Sequence, residues 1–166
     1  MKHFAVGAFL LLAACAKPEP LPADTRLKLD PIAFFTGYFK GQAELSKAFS
    51  QRVPVRVDSH GTTDKEGHLL LRQIIQEGQK EPRYREWTMR RVSPGRFTGS
   101  LTDAAGPVTV RTSGPKAFID YRMKNGVDVH QELALQPGGK IILNRLTVSK
   151  FGIQLARLEE TIRKLD

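Results

Sequence analysis

Residues 34–148 are dominated by a period of two. Phe39, Gly41, Ala43 and Leu45 alternate with Lys40, Gln42, Glu44 and Ser46, and Val53, Val55 and Val57 alternate with Arg56 and Asp58. Arg85, Trp87 and Met89 share one face of the next clear run, with Glu86, Thr88 and Arg90 on the other. The same rhythm continues through Phe97, Gly99 and Leu101, through Ile119, Tyr121 and Met123, through Val127, Val129, Gln131 and Leu133, and through Ile142, Asn144, Leu146 and Val148. Successive side chains of a strand point to opposite faces, so each run carries one apolar face that must be covered. Turn signals fall between the runs at Pro94-Gly95, Gly106-Pro107, Gly114-Pro115, Asn125-Gly126 and Gly138-Gly139. Asn-Gly is the strongest of these, because both residues tolerate positive φ in a two-residue hairpin.

Eight or nine antiparallel strands in sequence order bury their apolar faces most economically as an all-β, up-and-down barrel, which also removes exposed edges. A two-sheet sandwich is the second choice. Pro54 suggests an edge strand or a bulge. The tail is ambiguous: Leu155, Leu158, Ile162 and Leu165 are spaced for an amphipathic helix capping the barrel, with a final strand as the alternative. At 166 residues, 40% apolar and 26% charged, the chain has room for one globular core and no second domain.

The first residues read MKHFAVGAFLLLAAC. The apolar run 4–14 would rise only about 16 Å as a helix, too short to span a bilayer and proportioned like an export signal. It ends in Leu12-Ala13-Ala14-Cys15, which resembles the lipobox of bacterial lipoproteins. That resemblance implies cleavage after residue 14 and lipidation of Cys15, the single cysteine, which leaves no intrachain disulfide or CxxC site. Several acyl chains anchor durably where one holds only marginally. Residues 15–30 carry Pro18, Pro20 and Pro22 and are expected to form a semi-extended tether reaching about 45 Å, with the barrel over 31–166. Ala16 and Lys17 follow the cysteine in place of an inner-membrane retention aspartate. The expected address is therefore the periplasmic face of the outer membrane in a Gram-negative cell.

Chemistry-bearing motifs are few. There is no G-x-S-x-G, H-E-x-x-H or Gly-rich phosphate loop. His60, His68 and His130 are not paired at metal-ligand spacing, so neither metal nor cofactor is expected. Asp120, Arg122, His130 and Glu132 read as cross-strand charge pairs. Polar residues on otherwise apolar faces are more informative: Arg85, Tyr121, Gln131 and Asn144 each need a partner inside. They either form a satisfied core network or orient the head of an amphipathic ligand whose tail meets Trp87, Met89, Ile119 and Leu133. Arg145 and Lys150 are candidates for an anionic head-group site at the barrel mouth, or else pair outside. The net charge of +9 is spread along the strands. For an anchored envelope protein it suits anionic lipid or acidic polymers rather than nucleic acid.

Pro94-Gly95-Arg96-Phe97-Thr98-Gly99, the run Asn144-Arg145-Leu146-Thr147-Val148-Ser149-Lys150-Phe151-Gly152-Ile153, the aromatic Phe34-Phe35-Thr36-Gly37 and Trp87 ahead of Met89 resemble the bacterial lipoprotein family known as domain of unknown function 3833. The resemblance covers essentially the whole mature chain, departing from the family at Glu159, Glu160 and Arg163, where a more apolar last strand is expected. It implies a lipocalin-like barrel in the envelope, and its members' frequent proximity to lipid-modifying methyltransferases hints at lipid handling. The leading expectation is a membrane-anchored module that binds or carries a lipid or other hydrophobic ligand. Two others stand beside it: an enzyme or enzyme accessory acting on modified acyl chains through Gln131, Asn144 and Arg145, and a scaffold for an anionic envelope component.

Overall fold

The computed structural model describes residues 19–48 and 50–165; the expected signal peptide and Cys15 lie outside them. A single helical turn, α1 (Pro31–Phe34), precedes ten strands: β1 (Gly37–Lys47), β2 (Val53–Thr63), β3 (Leu69–Glu77), β4 (Arg83–Ser93), β5 (Arg96–Leu101), β6 (Val108–Ser113), β7 (Lys116–Arg122), β8 (Asp128–Leu135), β9 (Ile141–Lys150) and β10 (Ile153–Lys164). Each strand pairs antiparallel with its sequence neighbours, and β1 closes on β10 in a register running from Phe39 opposite Lys164 to Lys47 opposite Ala156. The result is a closed up-and-down barrel.

The tenth strand is the tail, so the C-terminal helix is corrected to β10. Without it, β1 and β9 would each expose a row of unpaired peptide groups, a demand that outweighs the few tenths of a kcal/mol per residue separating helix from strand preference. The inward residues of β10 are Ala156, Leu158, Glu160 and Ile162, and the carboxylate among them breaks the apolar alternation. A register shift between Gln154 and Ala156 adds a second disguise by bringing both Leu155 and Ala156 to the cavity. Pro54 sits in a closed wall, not at an edge. Its carbonyl accepts from Gly78 N at 2.9 Å, just beyond the last β2–β3 pair, so its missing N–H falls where the ladder has already ended.

One barrel end is plugged. Asp30 caps α1 by accepting from the backbone N–H groups of Ile32 (3.1 Å) and Ala33 (3.4 Å). The turn seats Phe34 and Phe35 against Phe39, all three buried, with ring centroids 5.1–5.6 Å apart. The Lys164 ammonium donates to the carbonyls of Phe34 (3.1 Å) and Thr36 (2.7 Å), tying the end of β10 to the plug. The connections after β1, β3, β5, β7 and β9 lie at the opposite, unplugged end.

Residues 19–30, expected as part of a semi-extended tether, run along the barrel. Leu21 N donates to Glu132 (3.1 Å), Asp24 N to the Leu135 carbonyl (3.0 Å) and Leu29 N to the Gly114 carbonyl (2.8 Å), and Leu29 is buried. The prolines keep this stretch extended, and its few apolar side chains and free donors find partners on β8 and the β6–β7 turn. On the β5–β6 side the interior is filled by Phe97, Leu101, Val108, Val110 and Ala117, each at most 4% exposed. Any hollow must lie against the other strands.

Candidate functional site: the barrel interior

The hollow is a cavity of about 550 Å³ bounded by β1–β4 and β7–β10, and no β5 or β6 residue reaches it. Its lower wall, above the aromatic plug, is apolar, with Leu69, Met89, Leu133 and Ile162. Toward the mouth stand Lys47, Glu77, Arg83, Met123 and Asn125. A larger depression of about 830 Å³ lies over the outer face of the wall around Leu70, Thr88 and Ser100. The interior volume falls within the roughly 300–1,000 Å³ typical of small-molecule sites.

Polar groups form a band around the greasy lining. Trp87 Nε1 donates to Gln73 Oε1 at 2.8 Å, and Gln73 Nε2 donates to Ser59 Oγ at 3.1 Å. Trp87 stands edge-on to Tyr121, with centroids 5.7 Å apart and planes at 88°. Gln131 Nε2 reaches the Tyr121 hydroxyl over a long 3.5 Å, and burial raises the Tyr121 phenol above its ordinary range. Arg85, its side chain 10% exposed, donates to Asp103 Oδ2 through Nη2 (3.1 Å) and Nε (3.3 Å), and Arg83 approaches the same oxygen at 3.4 Å. Asp103 comes from the β5–β6 connection, which crosses to β7 through an Ala104–Met123 bridge.

Glu160 brings a carboxyl into the cavity wall. Its Oε2 accepts from Asn144 Nδ2 at 2.9 Å, and burial pushes its carboxyl above the ordinary range, against the lowering influence of Asn144 and the Arg85 guanidinium. Gly41 makes room for it: a Cβ there would stand 2.0 Å from Glu160 Oε1. Asn144 is 6% exposed, and its Oδ1 has no hydrogen-bond partner.

Of the expected site residues, Arg85, Trp87, Met89, Tyr121, Gln131 and Asn144 all line this cavity. Arg145 does not. It projects from the outer wall toward Glu132 (3.7 Å) and Glu159 (3.4 Å), because the alternation that turns Asn144 inward turns its neighbour out. Lys150 is also outside, at the exposed end of β9 with its ammonium 5.7 Å from the Phe151 ring. The trio Gln131, Asn144 and Arg145 is therefore not assembled. The three histidines among the described residues are dispersed: His60 stacks on Tyr38, His68 Nδ1 lies 3.1 Å from Asp64, and His130 Nδ1 lies 2.6 Å from Asp120. Burial opposes ionisation of Asp120, but His130 and Arg111 outweigh it and hold the carboxyl below its usual range. Gln73 and Glu160 belong to the site and were not anticipated. Gln73 was legible as the one neutral polar residue within the apolar run 69–75, whereas Glu160 was hidden in a tail that reads as helix.

No curated protein is significantly similar in sequence to the chain. Among solved structures, an S-type phycobiliprotein lyase, CPES, from Guillardia theta superposes with a TM-score of 0.65 at 6% identity, covering 81% of this chain and 90% of that one. A protein of unknown function from the DUF3598 family of Nostoc punctiforme also gives 0.65, at 13% identity, covering 83% of this chain and half of its own. At such identities the likeness is one of fold, and the fold is a lipocalin-like barrel. The family model described as protein of unknown function (DUF3833) matches residues 9–164, essentially the full barrel with its leading segment, and the chain belongs to that family.

Proposed function

We propose that this protein is a lipid-anchored carrier of the bacterial envelope that holds an elongated amphipathic molecule inside its barrel. The observation that carries the reading is the hollow itself: a closed wall, one end plugged by aromatic rings, and an apolar cavity of about 550 Å³ crossed by a polar band. A core built only for stability is close-packed, since empty volume forfeits contact energy. A cavity of this size and mixed lining is the form taken by ligand sites. The likeness in fold to a phycobiliprotein lyase agrees with a barrel that accommodates a small organic molecule. Native mass spectrometry of the protein extracted from its own membranes tests the reading. A bound apolar species of discrete mass is expected, and an empty barrel under conditions that preserve folding would count against it.

Anchoring through Cys15 is the second half of the proposal and rests on Leu12-Ala13-Ala14-Cys15. Metabolic labelling with a radioactive fatty acid should mark the wild-type chain and leave a Cys15→Ala variant unlabelled. Equal labelling of both would remove the anchor.

A further inference from the structure

The cavity's polar groups are not equally satisfied. Gln73, Trp87, Tyr121 and Arg85 all have partners within the protein. Among the described residues, two buried side-chain atoms lack any partner, Asn144 Oδ1 and Arg157 Nε. Arg157 pairs through Nη2 with Glu159 at 2.6 Å and does not line the cavity. Asn144 does line it, and its unpaired atom is an acceptor. Beside it stands the Glu160 carboxyl, with one oxygen engaged by Asn144 Nδ2 and the other over the space that Gly41 leaves open. This corner therefore presents one unpaired acceptor, Asn144 Oδ1, while the Nδ2 donor beside it is already engaged by Glu160. An unpaired buried acceptor costs free energy that a donor from a ligand restores, whereas a carboxylate ligand brings only more acceptors.

We infer that the Asn144–Glu160 corner is a head-group subsite for a hydrogen-bond donor, a hydroxyl or primary amine at the end of an apolar chain, and that it selects against carboxylate-headed chains. This rests on the carrier reading and names the class of cargo within it. The chain would run past Leu158, Leu146 and Trp87, which line the same cavity. A hydroxyl would donate to Asn144 Oδ1. An amine would in addition set a positive charge against Glu160, so the two head groups share one recognition chemistry and differ in their dependence on that carboxyl.

Trp87 is the single tryptophan and faces the cavity, so its fluorescence reports occupancy there. The full chain, reconstituted in phosphatidylcholine vesicles, is titrated with chain-brominated dodecanol, dodecylamine or dodecanoate, whose bromine quenches an indole it touches. Dodecanol or dodecylamine is expected to quench at concentrations roughly tenfold below those needed for dodecanoate. Asn144→Leu should erase that difference, and Glu160→Gln should weaken the amine more than the alcohol. Equal quenching by all three, or a preference for dodecanoate, overturns the subsite and leaves the carrier reading standing. Absence of quenching by any of them overturns both. Should Asn144→Leu fail to fold, the wild-type head-group series and Glu160→Gln still decide.

Discussion

A methyl group at Gly61 would lie 1.7 Å from the Phe35 carbonyl oxygen, and backbone cannot swing aside. Gly61→Ala should therefore unseat the plug and cost about 1–3 kcal/mol, read as a lower urea midpoint. Gly41 differs because the atom in the way is the tip of the Glu160 side chain, which can rotate into the cavity. Gly41→Ala should unfold closer to the wild-type midpoint while altering ligand-dependent Trp87 quenching. The Glu160 carboxyl also sets a pH signature. Its pKa in the folded protein lies above its ordinary value of 4.5, so the folded state holds that proton more tightly than the unfolded state does. Its contribution to stability is present below 4.5 and is lost as pH rises through the folded value. Glu77 acts in the opposite sense: hydrogen bonds from Lys47 and Lys80 depress its carboxyl, so its contribution is lost as pH falls below 4.5. Thermal melts across pH should show a decline above 4.5 that Glu160→Gln diminishes; identical slopes for the two proteins would contradict burial of this carboxyl.

The hairpin joining β9 to β10 turns on two residues, Phe151 at φ 52° and Gly152 at φ 77°. Both lie in the left-handed region that two-residue hairpins require, which glycine occupies freely and phenylalanine does not. Phe151 is 87% exposed, so little packing offsets the strain. Phe151→Asn should raise stability by about 0.5–1 kcal/mol, measured by denaturant unfolding. The neighbouring strand, β10, illustrates why local preference misleads. Its 3-and-4 spacing of leucine and isoleucine satisfies a helix as an isolated peptide, yet it pairs on both sides, from Phe39 to Lys47 on β1 and along most of β9.

Closure makes stability a property of the whole wall. Removing residues 153–166 would leave β1 and β9 as long open edges and uncover the cavity, so the truncated chain should lose its cooperative thermal transition by circular dichroism and associate through its edges. A monomer that still melts sharply would show that the wall is self-sufficient without β10. At this scale the strand runs, the turns between them and the inward direction of Arg85, Trp87, Tyr121, Gln131 and Asn144 were all legible from alternation, because a period of two fixes the face of every side chain once a strand is granted. The barrel's tenth strand, the inward Glu160 and the docked course of residues 19–30 were not. Each depends on partners far away in sequence: two distant edges that need a strand between them, a glycine on β1 that admits a carboxylate from β10, and acceptors on β8 and the β6–β7 turn that hold an extended segment. Local chemistry thus determined which residues form strands and which side of each is greasy. Only the closing of the wall decided that its interior stays hollow, since the space left after side chains meet is set by all ten strands at once.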